Sequence, residues 1–273
     1  MLSIVDLKKE LGTNIYIYPV HVESIKSNSI DLHVSKFAWS VNNKKRIGND
    51  DYIIIESNDT ALVYTEEAIY VSNHIGGSYH SKVTLVSQGA GHIGTTLDAQ
   101  YIGCSIIAIH NHSKQELKLK IGSEFVTLQF WYLNSSDYEN APSHDNEPGH
   151  PRMLNGFEGV DSYIEWRDKN TWTTKKKDLY LKMTESEEYK QCKKEYQREL
   201  DTFNKKIVKN RTRRYLITIG IVIVILACLC IPAYVVNLGN VSSVIKSISE
   251  KIAFPILLSV ITTYIILDFK KKE

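Results

Sequence analysis

Between residues 15 and about 133, short apolar runs alternate with polar turns. The runs fall at 15–18, 29–34, 52–55, 61–64, 68–71, 105–109, 116–121 and 125–133, and β-branched and aromatic residues dominate them. Short strands at this spacing predict an all-β barrel or sandwich. A helical reading fails because no 3.6-residue period is sustained. Residues 134–152 are rich in Asn, Ser, Asp, Pro and His and predict a long loop, a kind of segment that usually carries function or disorder. From about Asp178 the pattern becomes helical: Cys192, Tyr196, Leu200, Phe203 and Ile207 recur at three- and four-residue intervals among charges. Such a stripe suits either a coiled coil with copies of itself or a simple packed helix.

Past Tyr215 the pattern changes again. Residues 215–236 contain no charge, enough for the roughly 20 residues of a spanning helix, and 252–267 form a second, shorter uncharged run. Together they predict a two-helix transmembrane hairpin over 215–269, following a charged helical stalk at 178–214. Arg211, Arg213 and Arg214 precede the first run and Lys270, Lys271 and Lys272 follow the second, whereas the intervening loop carries only Lys246 and Lys251 against Glu250. Positive-inside bias then places both termini in the cytoplasm of a two-span cell-membrane protein, with 270–273 as a basic tail. A buried hairpin in a soluble protein is the alternative. The first eleven residues carry Asp6, Lys8, Lys9 and Glu10 and lack the apolar core of a signal peptide.

Composition narrows the chemistry. With 33 basic and 31 acidic residues, net charge names no partner. The basic stretch at 205–214 abuts an apolar run, so attraction to anionic lipid explains it better than nucleic acid does. Cys104, Cys192, Cys228 and Cys230 lack zinc-ligand spacing, and of the nine histidines only His110 and His112 form a ligand-like pair. No metal site is expected from these patterns.

The most informative stretch is GHIGTTLDAQYIG at 91–103, continuing to Asn111. Asp98, Tyr101, Gly103 and Asn111 stand at fixed offsets in it. A tight strand turn offers backbone donors and acceptors to a base edge, while a carboxylate can accept from a sugar hydroxyl or a water. Asp98 as a mere turn residue is the alternative. With the blocks SIDLHV at 29–34 and HSKVTL at 80–85, this hairpin resembles the nucleotide pocket of the dCTP deaminase and dUTPase family over residues 11–133. The resemblance implies an all-β dUTPase-like barrel, a homotrimer and a pyrimidine nucleotide as ligand, with Mg²⁺ if a triphosphate is bound. It implies nucleotide contacts at Ser81, Lys82, Thr95, Thr96, Leu97, Asp98, Tyr101 and Asn111, with Asp98 the catalytic residue if the domain is active.

Departures from the family pattern matter equally. The deaminase glutamate, three residues before the asparagine, is replaced by Ala108. A methyl group relays no proton, and acid–base catalysis typically supplies roughly a hundred- to ten-thousand-fold in rate. The family's arginines are missing from 80–85, a magnesium-linked glutamine falls on Thr127, and residues 134–177 contain no glycine-rich arm. The expected function is a membrane-anchored nucleotide sensor with lost catalysis, an architecture suited to a bacterial antiviral membrane effector. An active pyrimidine deoxynucleotide triphosphatase and a ligand-free trimeric scaffold are the alternatives.

Overall fold

The computed structural model describes residues 1–92, 94–134 and 148–236, with backbone alone for residue 92 and for 224–236. Helix α1 (Ile4–Glu10) opens the chain, capped by Ser3, whose side chain accepts from the Asp6 amide while the Asp6 carboxylate accepts from the Ser3 amide. Eleven strands follow among the described residues: β1 (Ile15–Tyr18), β2 (Ser29–Ser40), β3 (Lys45–Arg46), β4 (Tyr52–Ile55), β5 (Thr60–Val71), β6 (Ile75–Ser81), β7 (Ala90–His92), β8 (Thr96–Leu97), β9 (Ile102–Asn111), β10 (Leu117–Lys120) and β11 (Glu124–Tyr132). Helix α2 (Val83–Val86) interrupts them after β6. The chain is thus all-β over the region where short strands were expected.

Nine strands form one antiparallel sheet in the order β7-β9-β5-β2-β11-β6-β8, with β1 added on β5 and β3 on β2, while β10 and β4 pair separately. The sheets enclose a core that includes Leu32, Val34, Ile53, Val63, Ile69, Ile107, Leu119, Phe125 and Phe130. Strand β5 is the hub, pairing with β1, β2 and β9. Its pairing is broken: the β5–β9 register shifts between Tyr64 and Ala68, and the β2–β5 register shifts between Val34 and Ala38. A bulge of this kind re-aims side chains that regular pleating would send to the other face.

Most of the loop expected at 134–152, residues 135–147, lies outside the described residues of the segment after β11. Beyond residue 148 it contains a 3-10 turn at Pro151–Leu154, helix α3 (Asp161–Lys169), a second 3-10 turn at Thr171–Thr173, and α4 (Lys176–Glu185), which begins close to the expected Asp178. Helix α3 escapes a pattern reading because only Tyr163 among its nine residues is buried. These elements cover the outer face of β2, β5 and β9. Phe37, Trp39, Tyr64, Ala68 and Cys104 meet Leu154, Tyr163 and Leu179 in a second apolar cluster. This is why β2, buried at eleven of twelve positions, shows no polar face.

Helix α5 (Glu187–Val236) follows, and the chain divides into two compact units at residues 1–198 and 199–273. Among the described residues no helix is long and apolar enough to cross a membrane. The expected transmembrane hairpin is therefore not found there. Side chains of its first run are described only from Tyr215 to Ile223, short of a span, and the second run and the basic tail lie outside the described residues.

Trp39 is fully buried between the sheet and the covering segment, and its indole Nε1 donates to the carbonyl of Glu158 at 3.0 Å. Trp39→Ala should cost about 3–5 kcal/mol. Denaturant unfolding measures the loss, and limited proteolysis should show cleavage shifting into residues 150–185.

Candidate nucleotide site

The turn between β8 and β9 is built by local hydrogen bonds. Thr96 Oγ1 donates to Asp98 Oδ1 at 3.2 Å, the Tyr101 amide donates to the Asp98 carbonyl at 3.2 Å, and Gln100 takes a left-handed φ of 63° that closes the turn. Two longer connections fix it to the sheet: the Tyr79 amide donates to the Thr95 carbonyl at 3.0 Å and the Val71 amide to the Tyr101 carbonyl at 3.2 Å. Thr95, Thr96 and Asp98 are exposed, whereas Leu97 is buried in the core. A small polar surface thus stands on a rigid apolar base.

Tyr101 belongs to that base. Its ring is buried and its hydroxyl donates to the Cys104 carbonyl at 2.9 Å. Burial pushes the phenol well above its ordinary pKa, so it stays protonated at neutral pH and acts as a wall rather than an acid. The chain returning after residue 147 packs over this wall. The His150 ring lies 5.5 Å from the Tyr101 ring, and the Gly149 carbonyl accepts from the Tyr64 hydroxyl at 2.8 Å. Gly103 explains its own presence here. With φ at +135°, a Cβ on it would stand 2.3 Å from the Gly149 nitrogen, so no larger residue fits.

Ser81 ends β6 and Lys82 follows it, just before α2. Ser78 pairs with Thr96, so Ser81 is three residues, about 10 Å, past that rung. Lys82 is already engaged: its Nζ lies 2.6 Å from Asp31 Oδ2 and 2.6 Å from Glu124 Oε2. Lys26 adds a second cation 3.2 Å from Glu124 Oε1, Ser24 donates to the same oxygen at 2.8 Å, and Thr127 donates to Asp31 Oδ1. Two lysines against two carboxylates leave the cluster near neutrality. A phosphate arriving at Lys82 would compete with two carboxylates already in contact.

Asn111 does not join the turn. It ends β9, nine residues from Ile102 and thus roughly 30 Å from the Asp98 end. Its side chain is spent on backbone: Nδ2 donates to the carbonyls of Ile55, Glu56 and Gln115 at 2.9, 3.1 and 2.7 Å, and Oδ1 accepts from the amide and hydroxyl of Ser113. Asn111 thereby staples β9 to the β4–β10 hairpin. Ala108 is half-buried on β9 opposite Leu62. The His110 and His112 rings are 5.8 Å apart, with His110 Nδ1 held at 2.6 Å by Thr60 Oγ1.

The arrangement that sequence spacing did not reveal is a group on three other elements. His21, His33 and Glu67 bring ligating atoms within 4.8 Å of one another. They are far apart along the chain, and the one available signal was the acidic pair Glu66-Glu67 inside an otherwise apolar strand.

Residues 1–133, just under half of the chain, match the family model described as dCTP deaminase-like. This part of the chain is similar to a dCTP deaminase-like domain. The dCTP deaminase of Pyrococcus horikoshii is 23% identical over 145 residues, spanning 53% of this chain and 92% of the relative. That of Pyrococcus abyssi is 24% identical over the same length, spanning 93% of the relative. Among solved structures, the 2'-deoxycytidine 5'-triphosphate deaminase of Agrobacterium tumefaciens is 14% identical with a TM-score of 0.43, covering 51% of this chain and about half, 52%, of that one. The native EIAV dUTPase is 23% identical with a TM-score of 0.33, covering 50% of this chain and 96% of that one. The match to the family model ends one residue past β11, so α3 and α4 stand outside it.

Three outcomes test this site's framework. Burial raises the Glu124 carboxyl, but hydrogen bonds from Lys82, Ser24 and Lys26 more than offset that and lower its pKa from 4.5 to about 2. A depressed carboxylate stabilises the fold above its unfolded pKa and loses that contribution as pH falls through the folded value. The melting temperature should therefore fall between pH 4.5 and about 2. Lys82→Met should flatten that limb and lower neutral-pH stability by on the order of 2 kcal/mol. Asn111→Ala leaves buried carbonyls of the β4–β10 hairpin without donors and should cost roughly 1–3 kcal/mol in chemical denaturation.

Proposed function

We propose that the dCTP deaminase-like domain binds a pyrimidine deoxynucleotide at the turn spanning Thr95 to Tyr101 and does not deaminate it. The observation that carries this reading is the contrast between that turn and β9 behind it. The turn presents Thr95, Thr96 and Asp98 to solvent on a buried base, while Ala108 supplies no proton relay where the resemblance expects a glutamate. In this reading Asp98 accepts from the sugar hydroxyl, turn backbone groups read the base edge, and Tyr101 with His150 walls the pocket. Mg²⁺ accompanies a triphosphate, because the lysines near Ser81 are already neutralised.

The membrane part of the proposal rests on the uncharged runs 215–236 and 252–267 and on their flanking basic residues. Three copies, the assembly the family resemblance implies, would bring together six spans and three nucleotide sites, with both termini cytoplasmic. Differential affinity of the nucleotide for two packings of the assembly is all that signalling to a membrane effector requires.

A second reading is favoured by Asp98 alone: exposed and oriented by Thr96, it could activate a water for triphosphate hydrolysis. Calorimetry and product analysis on the full chain in detergent, offered dCTP, dUTP and dTTP with Mg²⁺, separate the readings. Saturable binding without product, weakened about tenfold or more by Asp98→Ala, is the expected result. Turnover abolished by Asp98→Ala would establish a hydrolase, and no binding at all would leave a scaffold.

A further inference from the structure

The break in β5 pairing leaves a cluster of ligating atoms that nucleotide binding does not use. His21 stands just before the 3-10 turn Val22–Ser24, His33 lies on β2 and Glu67 on β5 inside the break. The His33 and Glu67 side chains are 8% and 1% exposed, and that of His21 28%. Glu67 accepts from both the backbone amide and Nδ1 of His33. The His21 ring packs on the His33 ring at 4.0 Å between centroids. Its Nε2 is buried without a hydrogen-bond partner, 3.8 Å from Glu67 Oε1 and 3.8 Å from Glu66 Oε2. These separations are too long for hydrogen bonds, and a buried polar atom left unpaired typically costs about 1–3 kcal/mol.

We propose that His21 Nε2, His33 Nδ1 and Glu67 Oε1 hold a divalent transition-metal ion of the zinc type, with Glu66 beside the fourth position. Imidazole nitrogens and carboxylate oxygens bind zinc at about 2.0–2.2 Å, so tetrahedral ligand atoms lie roughly 3.3 Å apart. His21 and Glu67 at 3.8 Å need to close by about half an ångström, and the hydrogen-bonded His33–Glu67 pair needs to open by less than about 1 Å. Two nitrogen donors disfavour Mg²⁺ and Ca²⁺, which take oxygen ligands. The second ring nitrogen of His33 is already oriented, 3.3 Å from Ser24 Oγ, which in turn donates to Glu124 at 2.8 Å. Ligating histidines are characteristically fixed this way, through the nitrogen that does not bind. Metal entry displaces the proton that His33 Nδ1 shares with Glu67 and releases it to solvent. The ion clamps the segment before β2 onto the sheet where strand pairing gives out.

The test uses the full chain in detergent, stripped with chelator and titrated with Co²⁺ and then Zn²⁺. One equivalent of Co²⁺ with visible d–d absorption, displaced by Zn²⁺, is expected. Ser24→Ala should weaken binding roughly ten- to a hundredfold, and His21→Ala by more than that. His112→Ala, at the other histidine pair, should leave it unchanged. Absence of saturable Co²⁺ and Zn²⁺ uptake, or equal affinity in His21→Ala, would overturn the proposal. If circular dichroism shows His21→Ala misfolded, His21→Gln is judged by the same criterion.

Discussion

Strand β5 cannot pair regularly with β2 and β9 along its whole length, and the interruption at Thr65–Glu67 sets much of what surrounds it. Where the ladder fails, side chains replace backbone partners. Thr65 Oγ1 accepts from the Ser105 amide at 2.9 Å and donates to the Glu67 carbonyl at 2.8 Å, and the Glu67 carboxylate accepts from the His33 amide. The buried backbone groups stay paired, as they must in an apolar interior. The same substitution carries Glu67 to a position where it is 1% exposed, and a carboxylate there is stable only against hydrogen-bond donors or a cation. The imidazole of His33 follows from that requirement.

A second polar cluster solves a similar problem differently. Asp31 on β2 and Glu124 on β11 are largely covered, and Lys82 and Lys26 neutralise them in place. Burying an ion pair contributes little net stability, whereas removing one partner is expensive. The lysine at the position where the family resemblance suggests phosphate binding is therefore held mainly by the protein's own carboxylates. Its pKa is accordingly raised: burial lowers it, and the bonds to Asp31 and Glu124 prevail.

The β strands were legible because their signal is local: alternation and β-branched runs at 52–55, 68–71 and 125–133 carry it without help from the rest of the fold. The turn of the candidate site was legible for the same reason, since Thr95 to Gly103 are consecutive and their spacing is their geometry. The structural bonds of Asn111 were not legible, because a motif position says nothing about which carbonyls lie nearby, and three of them lie around Nδ2. Helix α3 was invisible because its anchoring is by two aromatics, the buried Tyr163 and the partly buried Trp166, into a cluster assembled from distant strands. His21, His33 and Glu67 meet only through tertiary packing, and no one-dimensional pattern contains that.

The contact between Gly103 and Gly149 has a consequence for modularity. The match to the family model stops at residue 133, yet the backbone at 149 sits where a side chain on Gly103 would be, and the Tyr64 hydroxyl reaches across to it. The part that matches the family model and the compact unit of residues 1–198 are thus different objects. The strands that match the family have surrendered their outer face to a segment from outside it, so neither piece can be exchanged for a relative's without remaking the seam between them.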